Sequence, residues 1–234
     1  MTMDVRRALD QLVVIHQAII SHGVRMRFYD CFNSPASHRV RIALNLKGLT
    51  AKYIFCDPCR NEQVAADYLE LDTQDLEPTL VTHEGHALRQ SLAIIEWLEE
   101  THPKPTLLPD DPFRRAQARA FAYAIACEIH PLQNLKVLAR LRALNGDEAA
   151  RAWAREVTED GLAACEKLIA SERGPYCIGD FPTVADICLV PQLADARRLG
   201  VDIGKFPRLL KAETACMSLS AFVAAAPHKQ PDAE

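Results

Sequence analysis

Apolar and polar positions alternate with different periods in the two halves of the chain. Arg27-Phe28-Tyr29-Asp30-Cys31 reads as a short strand. A helix opens directly after it: Ser34 is a favoured N-cap, and Pro35 suits the first helical position, where a missing N–H costs nothing. Val40, Ala43, Leu44 and Lys47 fall at helical spacing, and Gly48 supplies the stop. A β-rich run follows at 51–55, then a polar helical stretch from Glu62 to Leu71. Next come a strand at 79–81, a turn at 83–86, a strand at Ala87-Leu88, and a helix from Ser91 with Leu92, Ile95, Leu98 and Glu99 near one face. The order β-α-β-α-β-β-α predicts an α/β unit with one hairpin. Beyond Asp110 the period is helical almost throughout, over 112–144, 147–171, 183–197, 206–216 and 218–225.

The predicted fold class is therefore α/β plus all-α. An α/β domain at 26–106 and an all-helical domain at 112–234 meet at the Pro- and Asp-rich segment Leu107–Pro112. Residues 1–25 stand apart. Leu9, Leu12, Val13, Ile15, Ile19 and Ile20 suit one amphipathic helix, without the cleavage pattern of a signal peptide. Met26 begins the natural first strand, so 1–25 are expected to be an extension from an upstream start.

Composition narrows the class. With 234 residues the chain can bury roughly 70% of its unfolded surface. A net charge of -4 gives no reason to expect nucleic acid or an anionic membrane as partner. Eight cysteines without regular spacing read as reduced thiols in a cytoplasm. Cys56-Asp57-Pro58-Cys59 has a C-x-x-C spacing, but no second pair completes a zinc site; the two read as incidental, and no metal is expected.

The candidate chemistry begins at Ser34. A hydroxyl at the positive end of a helix, just after a strand, suits a carboxylate, a phosphate or a thiolate. Thr183 and Asp186 stand three apart ahead of Ile187-Cys188-Leu189-Val190, a capping-box variant with a structural role.

Five stretches in fixed order resemble one family. They are the Ser-containing loop with Arg39–Gly48, Glu77-Pro78-Thr79-Leu80, Gln90–Leu98, Ile129–Leu138 and Pro182–Asp186, followed by the tail Pro227–Asp232. From about Met26 to Asp232 the chain resembles the cytosolic glutathione transferases, above all the zeta class, whose members include glutathione-dependent isomerases of maleylacetoacetate and maleylpyruvate. The resemblance implies a thioredoxin-like N-terminal domain that binds glutathione, and a helical domain that forms the substrate pocket. It also implies a homodimer. The family's cis-proline step falls at Glu77-Pro78, with residue 77 pairing by its backbone to the cysteinyl unit. Gln90 and Ser91 would hold the γ-glutamyl carboxylate. His130 and Asn134, four apart on one helix face, would approach the glutathione and substrate site, and Arg198 would take a substrate carboxylate.

The implied reaction starts from thiol chemistry. A free thiol near pKa 8.5 is only a few per cent thiolate at neutral pH, so the protein must lower that pKa. The thiolate then adds to a cis double bond, the single bond rotates, and elimination gives the trans keto-acid. Ser34 or Ser37 would supply the activating hydroxyl. Five residues depart from the family pattern: Pro35 and Ala36 stand where a second serine and a cysteine are usual, Asn33 and Leu135 each replace an arginine of the maleylpyruvate enzymes, and Glu77 replaces an apolar residue. Three readings are thus compatible with the sequence: an isomerase of small unsaturated keto-acids, a glutathione transferase for other electrophiles or halogenated acids, or a glutathione-binding protein of this fold with little catalysis.

Overall fold

The computed structural model describes residues 26–55 and 78–233. The 1–25 extension, the Glu62–Leu71 helix, the Cys56/Cys59 pair and Glu77 lie outside those residues. Four strands, β1 (Arg27–Asp30), β2 (Lys52–Phe55), β3 (Thr79–Val81) and β4 (Ala87–Arg89), form one mixed sheet in the order β2-β1-β3-β4. β1 runs parallel to β2 and antiparallel to β3, with Phe28 opposite both Tyr53 and Leu80. β3 and β4 make the expected hairpin.

Between β1 and β2 runs α1 (Pro35–Lys47). Its end follows the sequence rule: Gly48 takes φ 66, a left-handed conformation glycine adopts without a Cβ penalty, and its N–H closes on Asn45 and Leu44 carbonyls. At that end Lys47 Nζ donates to Glu99 at 2.6 Å and to the His102 and Pro105 carbonyls, pinning α2 (Ser91–Thr101) and the segment beyond it.

The helical half begins with α3 (Pro112–Tyr123), capped by Asp111. A single helix over 112–144 was expected, and here the structure differs. The backbone widens into a π-helical turn over Ala124–Ile129 and then tightens into a 3-10 turn over His130–Gln133. Pro131 has no N–H to continue an α-helical ladder, and Asn134 turns extended (φ -63, ψ 148) to cap the next helix, its Oδ1 accepting from Lys136 N. That helix, α4 (Leu135–Leu168), is broken at Gly146, where φ 86 and ψ 170 leave helical space at the boundary the periodicity predicted. α5 (Val184–Arg198), α6 (Pro207–Met217) and α7 (Ser220–Ala225) complete the fold.

The capping box opens α5 as read from sequence. Thr183 N donates to Asp186 Oδ2 at 2.8 Å, and Ala185 N to Thr183 Oγ1. Asp186 also accepts from Cys177 N, so one buried carboxylate ties a loop and a helix start together. α5 is buried over most of its length, and α1 packs against α2, α5 and α7. One apolar core therefore runs from Phe28, Val40 and Leu44 to Ile187, Leu189 and Leu193.

The C-terminus returns to the first helix. The Arg41 guanidinium, fully buried, donates to Asp30 Oδ1 at 2.7 Å, to the Phe32 carbonyl and to the Ala225 carbonyl. Phe32 N donates to Asp232 Oδ2 at 3.1 Å. The loop between β1 and α1 is thus held from both sides.

Candidate active site

That loop carries Asn33 and Ser34. With Pro35 and His38 of α1, and Ala194, Asp195 and Arg198 at the end of α5, it encloses a cavity of about 80 Å³. Ser34 Oγ accepts from Ser37 N at 3.2 Å, which caps α1. A hydroxyl has one proton to give, and the capping contact does not use it. Ser34 is therefore free to donate from the helix's positive end.

Ser37 sits elsewhere. It is fully buried beside the Asp30 carboxyl and does not line the cavity. The structure brings Ser34 and Arg198 together and leaves Ser37 behind them.

Arg198 closes α5, its side chain half exposed. Nη1 donates to Asn33 Oδ1 at 2.6 Å, and Nη2 to Asp195 Oδ1. Asp195 Oδ2 accepts from Gln133 Nε2 at 3.0 Å, and Gln133 Oε1 from Thr158 Oγ1 at 2.6 Å. Burial pushes the Asp195 carboxyl up to about 6, against the pull of Arg198 and Arg39.

A second polar group lies deeper. Arg39 is almost entirely enclosed; its Nη1 donates to Ser91 Oγ at 3.4 Å, while Nε and Nη2 are buried without a partner. Ser91 opens α2, and Gln90 before it takes φ 67, a positive value that costs a non-glycine residue about 1–3 kcal/mol. Pro78 is buried ahead of β3, and extending the Tyr29–Thr79 register by one residue sets it across from Asp30, beside the Ser34 loop.

His130 and Asn134 do not share a helix face. His130 starts the 3-10 turn, and Asn134 is the extended residue that caps α4. The proline between them imposes that break. Burial, with the Arg39 charge nearby, holds the His130 imidazole down to about 3. His38 is held at about 3 by burial and then by Arg41 and Arg39, and its Nε2 is buried without a partner. Both rings are neutral at physiological pH.

Asp195, His38, Arg39 and Gln133 were not singled out in the sequence. Asp195 had a signal: a carboxylate three residues before an arginine on a helix is a ready pair. Gln133 had none, since its partners come from α4 and α5. Among the described residues no group of three or more His, Cys, Asp or Glu is placed to hold a metal. All six described cysteines are free thiols.

Comparison with known proteins agrees with this architecture. The family model described as "Glutathione S-transferase, N-terminal domain" matches residues 33–101. A maleylpyruvate isomerase of Ralstonia sp. is 44% identical over 211 residues, spanning 88% of this chain and 99% of that protein. A maleylacetoacetate isomerase of Pseudomonas aeruginosa is 43% identical, spanning 88% and 98%. Among solved structures, a holo maleylpyruvate isomerase described as a bacterial zeta-class glutathione transferase superposes with a TM-score of 0.85 at 42% identity, over 89% of this chain and all of that one. A maleylacetoacetate isomerase from Anaeromyxobacter dehalogenans, solved with glutathione in its active site, gives 0.83 at 41% identity, over 91% and 99%. The four-stranded mixed sheet with its helical second half is the thioredoxin-like and all-helical pairing of that fold, and the chain belongs to the zeta class of the glutathione transferases.

Proposed function

We propose that this protein is a glutathione-dependent cis-trans isomerase of a small unsaturated keto-acid of the maleylacetoacetate or maleylpyruvate type, as in aromatic catabolism. The observation that carries the reading is the convergence of Ser34, at the N-terminus of α1, with Arg198, at the end of α5, on one cavity.

The residues suit glutathione. Ser91 Oγ accepts from the buried Arg39, so its own proton is free for the γ-glutamyl carboxylate, with the α2 N-terminus and the positive charge of Arg39 behind it. Gln90 belongs to the same cradle, and Pro78, Asn134 and the neutral His130 complete the set assigned to glutathione; Glu77, expected with them, lies outside the described residues. Bound glutathione supplies the thiolate that adds to the cis double bond and leaves once the bond has rotated.

The chain's own residues do the rest. Ser34 donates its hydroxyl hydrogen to the sulfur position, where the helix terminus adds a favourable field, and both stabilise the anion. Pro35 and Ala36 offer no second hydroxyl, so this task falls on Ser34 alone. Arg198 holds the substrate carboxylate and draws charge toward the keto-acid end as electrons move there. Being neutral, His38 adds no charge to that wall of the cavity.

A homodimer in the cytoplasm goes with this reading, supported by the free thiols and by the zeta-class relationship. No described helix is long and apolar enough to cross a membrane.

Ultraviolet assays of maleylacetoacetate and maleylpyruvate isomerisation, with and without glutathione, test the proposal. Glutathione-dependent turnover of either acid supports it. Binding of glutathione with no turnover of either acid overturns it, in favour of another electrophile or a binding role.

A further inference from the structure

Arg198 is a long side chain at a helix end, half exposed and free by its chemistry to sample many rotamers. It is nonetheless held at two points, Asn33 on one nitrogen and Asp195 on the other. Asp195 is the buried member of that pair, and both of its oxygens are committed: Oδ1 to Arg198, Oδ2 to Gln133. Gln133 is in turn fixed by Thr158, which is fully buried on α4. A chain of side chains thus runs from the interior of the helical half to the cavity, and ends at the arginine.

Resting on the function proposed above, we propose that Asp195 is a positioning residue: braced by Gln133 and Thr158, it aims the Arg198 guanidinium at the cavity, so that a substrate carboxylate meets a fixed charge.

Simple filling of space does not account for a carboxylate here. A buried carboxylate is unfavourable unless paired and hydrogen-bonded. Arg39 lies close enough to act on Asp195 by charge, yet its hydrogen bond goes to Ser91 while the Asp195 oxygens turn to Gln133 and Arg198. The carboxylate is oriented toward the cavity arginine.

Among the described residues the groups facing Asp195 are few. Arg198 comes from its own helix, Arg39 from α1, Gln133 from the 3-10 turn and Thr158 behind Gln133 from α4, while the neutral His38 lines the same cavity. With a carboxyl pushed up to about 6, the anchor is charged at neutral pH and weakens as pH falls through that value.

The test is side-chain nitrogen relaxation of arginine in the full chain labelled with 15N-arginine, the Arg198 Nε signal being assigned by its loss in Arg198→Lys. The expected result is an ordered Arg198 side chain at pH 7.5 that becomes mobile in Asp195→Asn, and in the unaltered protein between pH 7 and 5. In the isomerase assay, Asp195→Asn is expected to lower kcat about tenfold with little rise in KM, and the double variant with Arg198→Ala to be no slower than Arg198→Ala alone. An Arg198 signal equally ordered in Asp195→Asn overturns the proposal, as do additive losses in the double variant. The pH series needs no variant, so an unfolded Asp195→Asn leaves the question decidable. Absence of turnover in the unaltered enzyme speaks against the proposed function only, because the relaxation data do not depend on it.

Discussion

At the scale of single residues, the site is a division of labour between two ends of two helices. Ser34 keeps one proton to donate because its cap contact uses only an acceptor position. A hydrogen bond to a charged group is worth about 1.5–3 kcal/mol, or about one to two pKa units. Ser34→Ala is therefore expected to raise, by about that much, the pH at which bound glutathione gains thiolate absorbance. Ser37→Ala is expected to leave that pH in place, since Ser37 is buried beside Asp30 and away from the cavity. An effect from Ser37→Ala alone reverses the assignment. Arg198→Ala removes a charge-assisted contact at the other end of the cavity and is expected to cost about 10- to 100-fold in kcat/KM for the preferred keto-acid, measured by steady-state kinetics.

Single elements show which local rules hold and which yield. The start and stop of α1 were legible because Ser-Pro and Gly act through backbone chemistry alone. So was the box at Thr183 and Asp186. Its energetic weight was not, because Cys177 N also depends on Asp186, and that contact comes from a loop nine residues upstream. Asp186→Ala strands buried N–H groups as well as a cap, and is expected to destabilise the protein by about 3 kcal/mol or more, read from denaturant unfolding. Thr183→Ala removes the hydroxyl that accepts from Ala185 N and donates to Asp186, together with a buried methyl. It keeps the Asp186 contacts to Cys177 N and Thr183 N, and is expected to cost less, about 1–2 kcal/mol. The run at 124–134 is the element the periodicity misread. Its apolar spacing continues through a proline whose missing N–H converts one predicted helix into a π-turn, a 3-10 turn and a fresh cap. Hydrophobic period reports which face is buried. It is silent on how the ladder closes.

Across the whole molecule, two neutral histidines make stability sensitive to acid. His38 and His130 are held at about 3 by burial, against about 6.5 when unfolded. Below 6.5 the unfolded chain takes up protons that the folded chain refuses, so stability is full above that pH and lost as it falls. Each histidine contributes a loss of about 1.4 kcal/mol per pH unit across that window. Asp195 acts in the opposite sense, adding stability as pH falls from about 6 toward its unfolded value. The carboxyls of Asp30 and Asp186, raised by burial, act in the same sense as Asp195, so the histidine contribution is read by difference: the melting temperature of His130→Gln is expected to fall less between pH 7 and 5 than that of the unaltered protein. A slope unchanged by that substitution means that His130 gains its proton as readily in the folded chain as in the unfolded one.

What the sequence by itself determined is whatever depends on neighbours along the chain: strand and helix identity, caps, the glycine stops and breaks, and the family to which these stretches in order belong. Ser34 and Arg198, 164 positions apart, were singled out at that level as candidates, through motif and resemblance. The tertiary structure alone decided that they share a cavity, that Ser37 does not, that Asn33 and Asp195 grip one guanidinium, and that Arg39 lies sealed beneath Ser91. The physical reason is that burial and hydrogen-bond partnership are properties of packed surfaces: α1 and α5 acquire their chemistry from each other only once a common core has brought their ends together.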